Sequence, residues 1–127
     1  MNTGAFTYPK KEKLKSRITI GRMFTEGKSV AKYPLRLVYI PLEEHEKSRI
    51  KMGVSVSKKY FKKASDRNYY KRVLRETYRH HKHILTAGIQ KPFAFMLFYQ
   101  TKDRLCFDEI NEKTIKLFEK FAAQENL

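Results

Sequence analysis

One segment of the sequence constrains the fold more than any other, because it holds two strand patterns on either side of a long helical pattern. Residues 50–57 alternate apolar and polar side chains, which is typical of a strand with one buried face. Residues 93–99 form a continuous apolar run, which predicts a strand covered on both faces. Between them, Asp66 can cap a helix that reaches about Leu85. If the two strands share a sheet, this crossover makes them parallel.

The remaining segments add two helices and two strands to this crossover. Ser16 can cap a helix that runs to about Glu26, and strands are predicted over residues 28–31 and 35–40. Asp108 can cap a last helix that has one apolar face. The order is then helix, three strands, helix, strand, helix. It predicts an α+β fold, an α-β-β-β-α-β-α sandwich in which a mixed four-stranded sheet is packed with helices.

The composition indicates one strongly basic domain. The 127 residues have room for a single core, and we assign residues 1–127 to one domain with a flexible basic tail over residues 1–10. There are 28 Lys and Arg against 13 Asp and Glu, a formal net charge of +15. Such an excess strains a compact chain by self-repulsion unless a polyanion neutralises it. Nucleic acid is the first candidate partner, an anionic membrane surface the second and an acidic protein the third.

Three features bear on the location of the protein. The chain has one cysteine, which excludes an internal disulfide and fits a reducing compartment. No apolar run approaches the roughly 18 residues that a membrane span needs. Residues 1–15 are basic and polar, without the apolar core of a secretion signal. We therefore expect a cytoplasmic protein with no membrane partner.

The long helix separates apolar from basic residues. The side chains expected to pack on the sheet are Tyr70, Val73, Leu74, Thr77, His81 and Ile84. Basic residues recur every four positions on the opposite side, at Arg67, Lys71, Arg75 and Arg79. A solubilising face normally mixes charge signs, whereas Glu76 is the only acid of this helix after its cap. The pattern therefore favours phosphate binding, for which Arg is well suited, over a merely solvated face.

A basic turn precedes this helix and contains two aromatic residues. Lys58 and Lys59 follow the end of the strand directly, and Tyr60 and Phe61 come next. Such a turn can hold phosphates while its rings stack on unpaired bases. The alternative is that both rings pack in the core under the helix, because aromatic residues dominate cores as well. The sequence leaves the two interpretations open.

These motifs resemble those of the protein subunit of bacterial ribonuclease P. That family has a strand ending in Gly-x-Ser-Val-Ser-Lys-Lys, and residues 52–59 read MGVSVSKK. The helix that follows in the family opens with Arg-Asn-Arg-x-Lys-Arg-x-x-Arg-Glu, and residues 67–76 read RNYYKRVLRE. Residues 14–27 are similar to the first helix of the family. Two positions depart from the pattern: Tyr69 replaces the second Arg of the signature, and Ile20 stands where the first helix often has Phe.

The resemblance implies a fold like that of domain 2 of ribosomal protein S5 and a role as an accessory to RNA catalysis. In the family, ribonuclease P RNA with bound Mg²⁺ hydrolyses the bond between the 5′ leader and the mature tRNA. The implied partners are ribonuclease P RNA and precursor tRNA, with no obligate protein partner, no catalytic residue and no metal held firmly by the protein. The implied contacts to the catalytic RNA are Lys58, Lys59, Arg67, Asn68, Lys71, Arg72 and Arg75. The implied leader-binding cleft consists of Arg17, Ile20, Phe24 and Tyr39.

Three alternatives follow from the residues. The first is another RNA-binding role, of the ribosomal or RNA-chaperone type, with no part in tRNA processing. The second is a protein-only metallonuclease whose candidate ligands are Glu76, His80, His81 and His83, although these lack paired carboxylates. The third is a membrane-surface role, which the sequence disfavours because the apolar face of the long helix is needed by the sheet.

Overall fold

The sheet is built around the continuous apolar run of residues 93–99. The computed structural model describes residues 8–43 and 49–125. Its helices and strands, in chain order, are α1 (Arg17–Glu26), β1 (Lys28–Lys32), β2 (Leu35–Pro41), β3 (Ile50–Val56), α2 (Ala64–Thr86), β4 (Phe93–Tyr99) and α3 (Phe107–Gln124). The strand order is β1-β2-β4-β3, with β3 parallel to β4 and the other pairs antiparallel. The predicted α+β fold and parallel crossover are therefore confirmed.

The strand β4 lies inside the sheet and is covered on both faces, which explains its continuous apolar run. On one face, Phe95 and Leu97 belong to the main core with residues of α2 and α3. On the other face, Ala94 packs with Ile40 and with Met23 of α1. The helices thus divide unequally: α2 and α3 cover one face of the sheet, and the shorter α1 crosses part of the other.

The N-terminal segment runs along the outer edge of β3. Lys13 forms a parallel bridge with Met52, and the backbone N–H of Leu14 donates to the carbonyl of Met52 at 3.0 Å. The hydroxyl of Tyr8 donates to the same carbonyl, and its ring meets that of Tyr78 edge-on at 5.0 Å. Residues 8–10 of the predicted flexible tail thus lie next to β3 and α2, while residues 1–7 are outside the described residues.

A buried ion pair holds this segment against α2. A short 3₁₀ helix, Lys10–Glu12, directs the Glu12 carboxylate inward. There it accepts hydrogen bonds from the Tyr78 hydroxyl at 2.6 Å and from Lys82 Nζ at 3.1 Å. The side chains of Lys82 and Glu12 are only 9% and 10% exposed. Burial, reinforced by the bond to Glu12, raises the pKa of Tyr78.

The buried face of α2 differs from the predicted one in its last turns. Tyr78, Lys82 and Leu85 are buried there, whereas His81 and Ile84 are only half-buried. Lys82 is a cation and so does not belong to the apolar pattern. Its burial depends on Glu12, which lies far away in the sequence. The apolar periodicity alone could not show this pairing.

The helix starts agree with the sequence at α1 and shift at the other two helices. The Ser16 side chain accepts a hydrogen bond from the backbone N–H of Thr19 at 3.2 Å, as a cap does. The helix α2 begins before Asp66, whose carboxylate instead pairs with Arg104 at 3.0 Å. The pKa of Asp66 is lowered because Arg104 donates to it. The helix α3 begins just before Asp108, with Cys106 at its cap position.

We expect Glu12→Ala to lower the free energy of unfolding by about 3 kcal/mol, because it leaves the Lys82 ammonium buried without its carboxylate. Urea denaturation measures this loss. The matched control is Glu112→Ala, which removes an exposed i,i+4 partner of Lys116 on α3 and should change stability little. Equal, small losses for both variants would show that the N-terminal segment is not part of the cooperative fold.

Candidate RNA-binding surface

The exposed side of α2 is a consequence of how its other side packs. Tyr70, Val73, Leu74 and Thr77 are buried against the sheet and α3, so the residues between them face solvent. These residues form a surface that we call the α2 basic face: Asn68, Lys71, Arg72 and Arg75. Lys71 is half-buried and the other three are exposed. The structure therefore brings together four of the seven residues assigned to catalytic-RNA contacts.

Arg67 has an internal partner in addition to its place at the start of this helix. Its Nη1 atom donates to the carbonyl of Phe61 at 3.0 Å and to that of Lys62 at 2.7 Å. The guanidinium thus ties the basic turn to α2. The turn carries Lys58 and Lys59, both exposed, so Arg67 helps to position two further cations beside the α2 basic face.

The structure decides between the two interpretations of the aromatic residues in the turn. Phe61 is 4% exposed and belongs to the main core. Its ring stacks on that of Tyr70 at 4.8 Å, and the Arg104 guanidinium lies 5.2 Å from its centroid. Tyr60 packs half-buried against the same core. Phe61 is therefore a core residue and not a platform for a nucleobase.

The basic series of α2 is partly neutralised beyond Arg75. Arg79 Nη2 lies 2.8 Å from the Glu76 carboxylate, and its Nε lies 3.0 Å from it. Arg79 therefore faces an anion of its own helix. The cations that have no such acidic partner among the described residues lie closer to the N-terminus of the helix, next to the basic turn.

A second candidate surface lies on the opposite face of the sheet, along one flank of α1. Phe24 is 65% exposed, and its ring meets that of Phe98 edge-on at 6.2 Å. Arg17 and Ile20 lie on the same flank by helical spacing, exposed and half-buried respectively. Arg36, the β2 partner of Phe98, lies beside that ring on the sheet. We call this surface the α1 cleft: Arg17, Ile20, Phe24, Arg36 and Phe98.

Tyr39 does not belong to the α1 cleft, so its assignment to the leader-binding site is corrected. The strand β2 turns Leu35, Leu37 and Tyr39 towards α2 and α3, and Val38 and Ile40 towards α1. Tyr39 is 1% exposed, with its ring 4.7 Å from that of Phe121 of α3. Its hydroxyl donates to Glu125 at 2.6 Å. Burial, followed by that bond, raises the pKa of Tyr39 to about 12.

Sequence reasoning missed two residues of the α1 cleft, and also the basic residues of the N-terminal segment that extend the α2 basic face. Phe98 lies in a continuous apolar run, and Arg36 is an isolated cation in a strand, so neither showed a pattern. A cavity of about 370 Å³ lies between the α2 basic face and the face of the sheet that carries α1, since Arg75 and Met96 both line it. Lys13, Lys15 and Arg75 line it, because the N-terminal segment runs along β3. The basic surface is thus continuous from α2 to the face of the sheet that carries α1.

The histidines of α2 do not form a metal-binding group in the structure. His81 Nε2 lies 2.8 Å from the side-chain oxygen of Asn111, and His80 Nε2 lies 3.9 Å from Glu76. Within residues 8–43 and 49–125, no three His, Cys, Asp or Glu side chains are placed to hold a metal ion. No helix within the same ranges is long and apolar enough to cross a membrane.

Comparisons with known proteins all point to one family. The family model for ribonuclease P matches residues 8–122. A ribonuclease P protein component from Porphyromonas gingivalis is 41% identical over 102 residues, which cover 79% of this chain and 74% of that protein. Another, from Dictyoglomus thermophilum, is 36% identical over 120 residues, covering 94% of this chain and 96% of that protein.

Solved structures show the same fold. The RNase P protein of Thermotoga maritima has a TM-score of 0.68 at 26% identity, covering 86% of this chain and 96% of that one. The RNase P protein of Staphylococcus aureus has a TM-score of 0.71 at 21% identity, covering 87% of this chain and 94% of that one. With the family match and the two relatives, these likenesses lead to one conclusion. The chain belongs to the ribonuclease P protein family.

Proposed function

We propose that this chain binds ribonuclease P RNA through the α2 basic face and the adjoining turn, and the 5′ leader of precursor tRNA through the α1 cleft. The observation that carries the proposal is the presence of two chemically different surfaces, with a cavity lined by Lys13, Lys15 and Arg75 that extends from the first towards the face of the sheet that carries the second. One surface offers mainly cations on a helix, and the other offers the exposed ring of Phe24 beside the half-buried ring of Phe98, with Arg17 and Arg36 nearby. A folded RNA and a single strand make different demands, which these two surfaces meet separately.

The α2 basic face suits the phosphates of a folded RNA. Asn68, Arg72 and Arg75 project from one rigid helix, and Lys58 and Lys59 extend the same surface through the turn that Arg67 holds. Arginine makes bidentate contacts with phosphate, and each neutralised phosphate releases counterions. Binding through this surface should therefore weaken steeply as the salt concentration rises.

The α1 cleft suits an unpaired strand. The exposed ring of Phe24 gives a base a face to stack on, and Phe98 supports it from the sheet. Arg17 lies two turns before Phe24 on the same flank of α1, and Arg36 pairs with Phe98 in the sheet, so both cations can neutralise the backbone of a strand bound here. Stacking tolerates any base, because every base has a π-face. The cleft therefore fits leaders of varied sequence.

In this proposal the RNA carries the chemistry. Mg²⁺ bound mainly by the RNA would activate the hydrolysis of the phosphodiester bond. The role of the protein is to bind and orient the leader and to reduce the repulsion between two RNAs with its positive charge. A protein component that works with a cellular RNA also fits a cytoplasmic location.

The central test is a cleavage time course on a 5′-extended precursor tRNA at low Mg²⁺. The reactions contain the protein alone, bacterial ribonuclease P RNA alone, or both together. We expect cleavage at the mature 5′ end only with both, because the cations of the protein replace part of the Mg²⁺ that the RNA needs. Cleavage by the protein alone would support the metallonuclease alternative. RNA binding without any stimulation would instead indicate a different RNA-binding role.

Arg72→Ala combined with Arg75→Ala should weaken binding to ribonuclease P RNA by about 10- to 100-fold, because two phosphate contacts are lost. The slope of log affinity against log salt should fall by about two. Filter binding over a salt series measures both quantities. The matched control is Lys113→Ala with Lys116→Ala on α3, which removes the same charge elsewhere and should have little effect. Equal losses in both double variants would mean that only net charge matters.

Phe24→Ala should weaken binding of precursor tRNA by about tenfold in the assembled holoenzyme and leave binding of mature tRNA unchanged, because only the precursor has a leader to stack. Equilibrium binding of the two tRNAs measures the difference. Ile18→Ala is the control, since Ile18 is an exposed apolar residue of the same helix. If both tRNAs lost the same affinity, Phe24 would have no place in the leader site.

A further inference from the structure

Tyr69 is the one aromatic residue within residues 67–76 whose ring is largely open to solvent. It is 45% exposed, whereas Tyr70, the next residue, is 3% exposed in the main core. The Tyr69 ring meets the Tyr70 ring edge-on, with centroids 4.9 Å apart and an interplanar angle of 85°. An edge-to-face contact covers at most one of the two faces of a ring. At least one face of Tyr69 is therefore free of Tyr70, and nearly half of the residue is exposed to solvent.

The support behind this ring is rigid. Tyr70 stacks on Tyr99 of β4 at 4.6 Å and on Phe61 of the basic turn at 4.8 Å. These contacts fix the ring against which Tyr69 rests. A tyrosine side chain also has only two rotatable angles, so little conformational entropy is lost when a ligand contacts it. Tyr69 is thus an exposed ring on the surface of α2 that rests against a fixed aromatic core.

The residues around Tyr69 indicate the chemical nature of its ligand. Asn68 precedes Tyr69, and Arg72 lies one helical turn further along the same side. Both are exposed polar residues of the α2 basic face, one of them cationic. A ligand held here must present a flat apolar face to the ring and carry negative charge or hydrogen-bond acceptors beside it. An unpaired nucleotide has both features.

We propose that Tyr69 forms a stacking site for an unpaired nucleobase of ribonuclease P RNA, with Asn68 and Arg72 contacting the adjoining backbone. This inference rests on the proposed function, since it names a contact within the same RNA-binding surface. An uncharged ring releases no counterion, so its share of the affinity is independent of salt. The family pattern has Arg at this position. In this chain a salt-independent contact replaces a salt-dependent one.

The test is a salt series of binding to ribonuclease P RNA with the full-length protein and three variants of one position. We expect Tyr69→Phe to bind like the wild type, because the ring is kept. Tyr69→Ala should lose about tenfold in affinity at every salt concentration, with an unchanged slope. Tyr69→Arg should raise the slope by about one, because it adds a phosphate contact. Circular dichroism and thermal unfolding serve as the folding control, and each variant should fold like the wild type because the side chain is exposed.

The outcomes separate this inference from the proposed function. If the wild-type protein neither bound ribonuclease P RNA nor stimulated its cleavage, the proposed function itself would fail. If it did both and Tyr69→Ala bound equally well, only the stacking site would be overturned. A loss in Tyr69→Phe equal to that in Tyr69→Ala would assign the effect to the hydroxyl group and contradict stacking. A lower salt slope in Tyr69→Ala would contradict it too, because a ring carries no charge.

Discussion

The burial of β4 on both faces is the constraint on which the rest of the structure depends. An inner strand of seven mostly large apolar residues exposes a sheet surface that must be covered on each side. The helices α2 and α3 cover one side with a continuous aromatic core. The short helix α1 covers only part of the other side, around Met23. The uncovered remainder, with Phe98 beside Phe24, becomes the α1 cleft.

The same packing creates the α2 basic face. Since the helix buries its apolar residues against the sheet and α3, its Arg and Lys residues other than the buried Lys82 project away from that core. Not all of these cations face solvent in the same way: Arg67 holds the basic turn, and Arg79 pairs with Glu76. What remains is a short cationic surface. Binding of RNA to that surface, as proposed, would relieve the self-repulsion of a chain with a net charge of +15.

The N-terminal segment extends the basic surface from α2 towards the face of the sheet that carries α1, and a buried ion pair holds it in place. Glu12 is directed into the fold by the 3₁₀ turn and is bound by Lys82 and Tyr78. The residues that follow run along β3 and bring Lys13 and Lys15 next to Arg75. A segment that would otherwise be a basic tail thus becomes the wall of a cavity. Stability of the fold and continuity of the basic surface depend on the same contacts.

The sequence by itself determined the order of helices and strands, the Ser16 cap of α1, the bounds of β4 and the cationic side of α2. These are local properties, because periodicity, capping and charge are read from neighbouring residues. Only the tertiary structure decided that Tyr39 faces α3, that Phe98 and Arg36 join the α1 cleft, and that Tyr69 stays exposed beside a buried Tyr70. Which side of a strand meets which helix depends on contacts between residues far apart in the chain, and no local pattern carries that information.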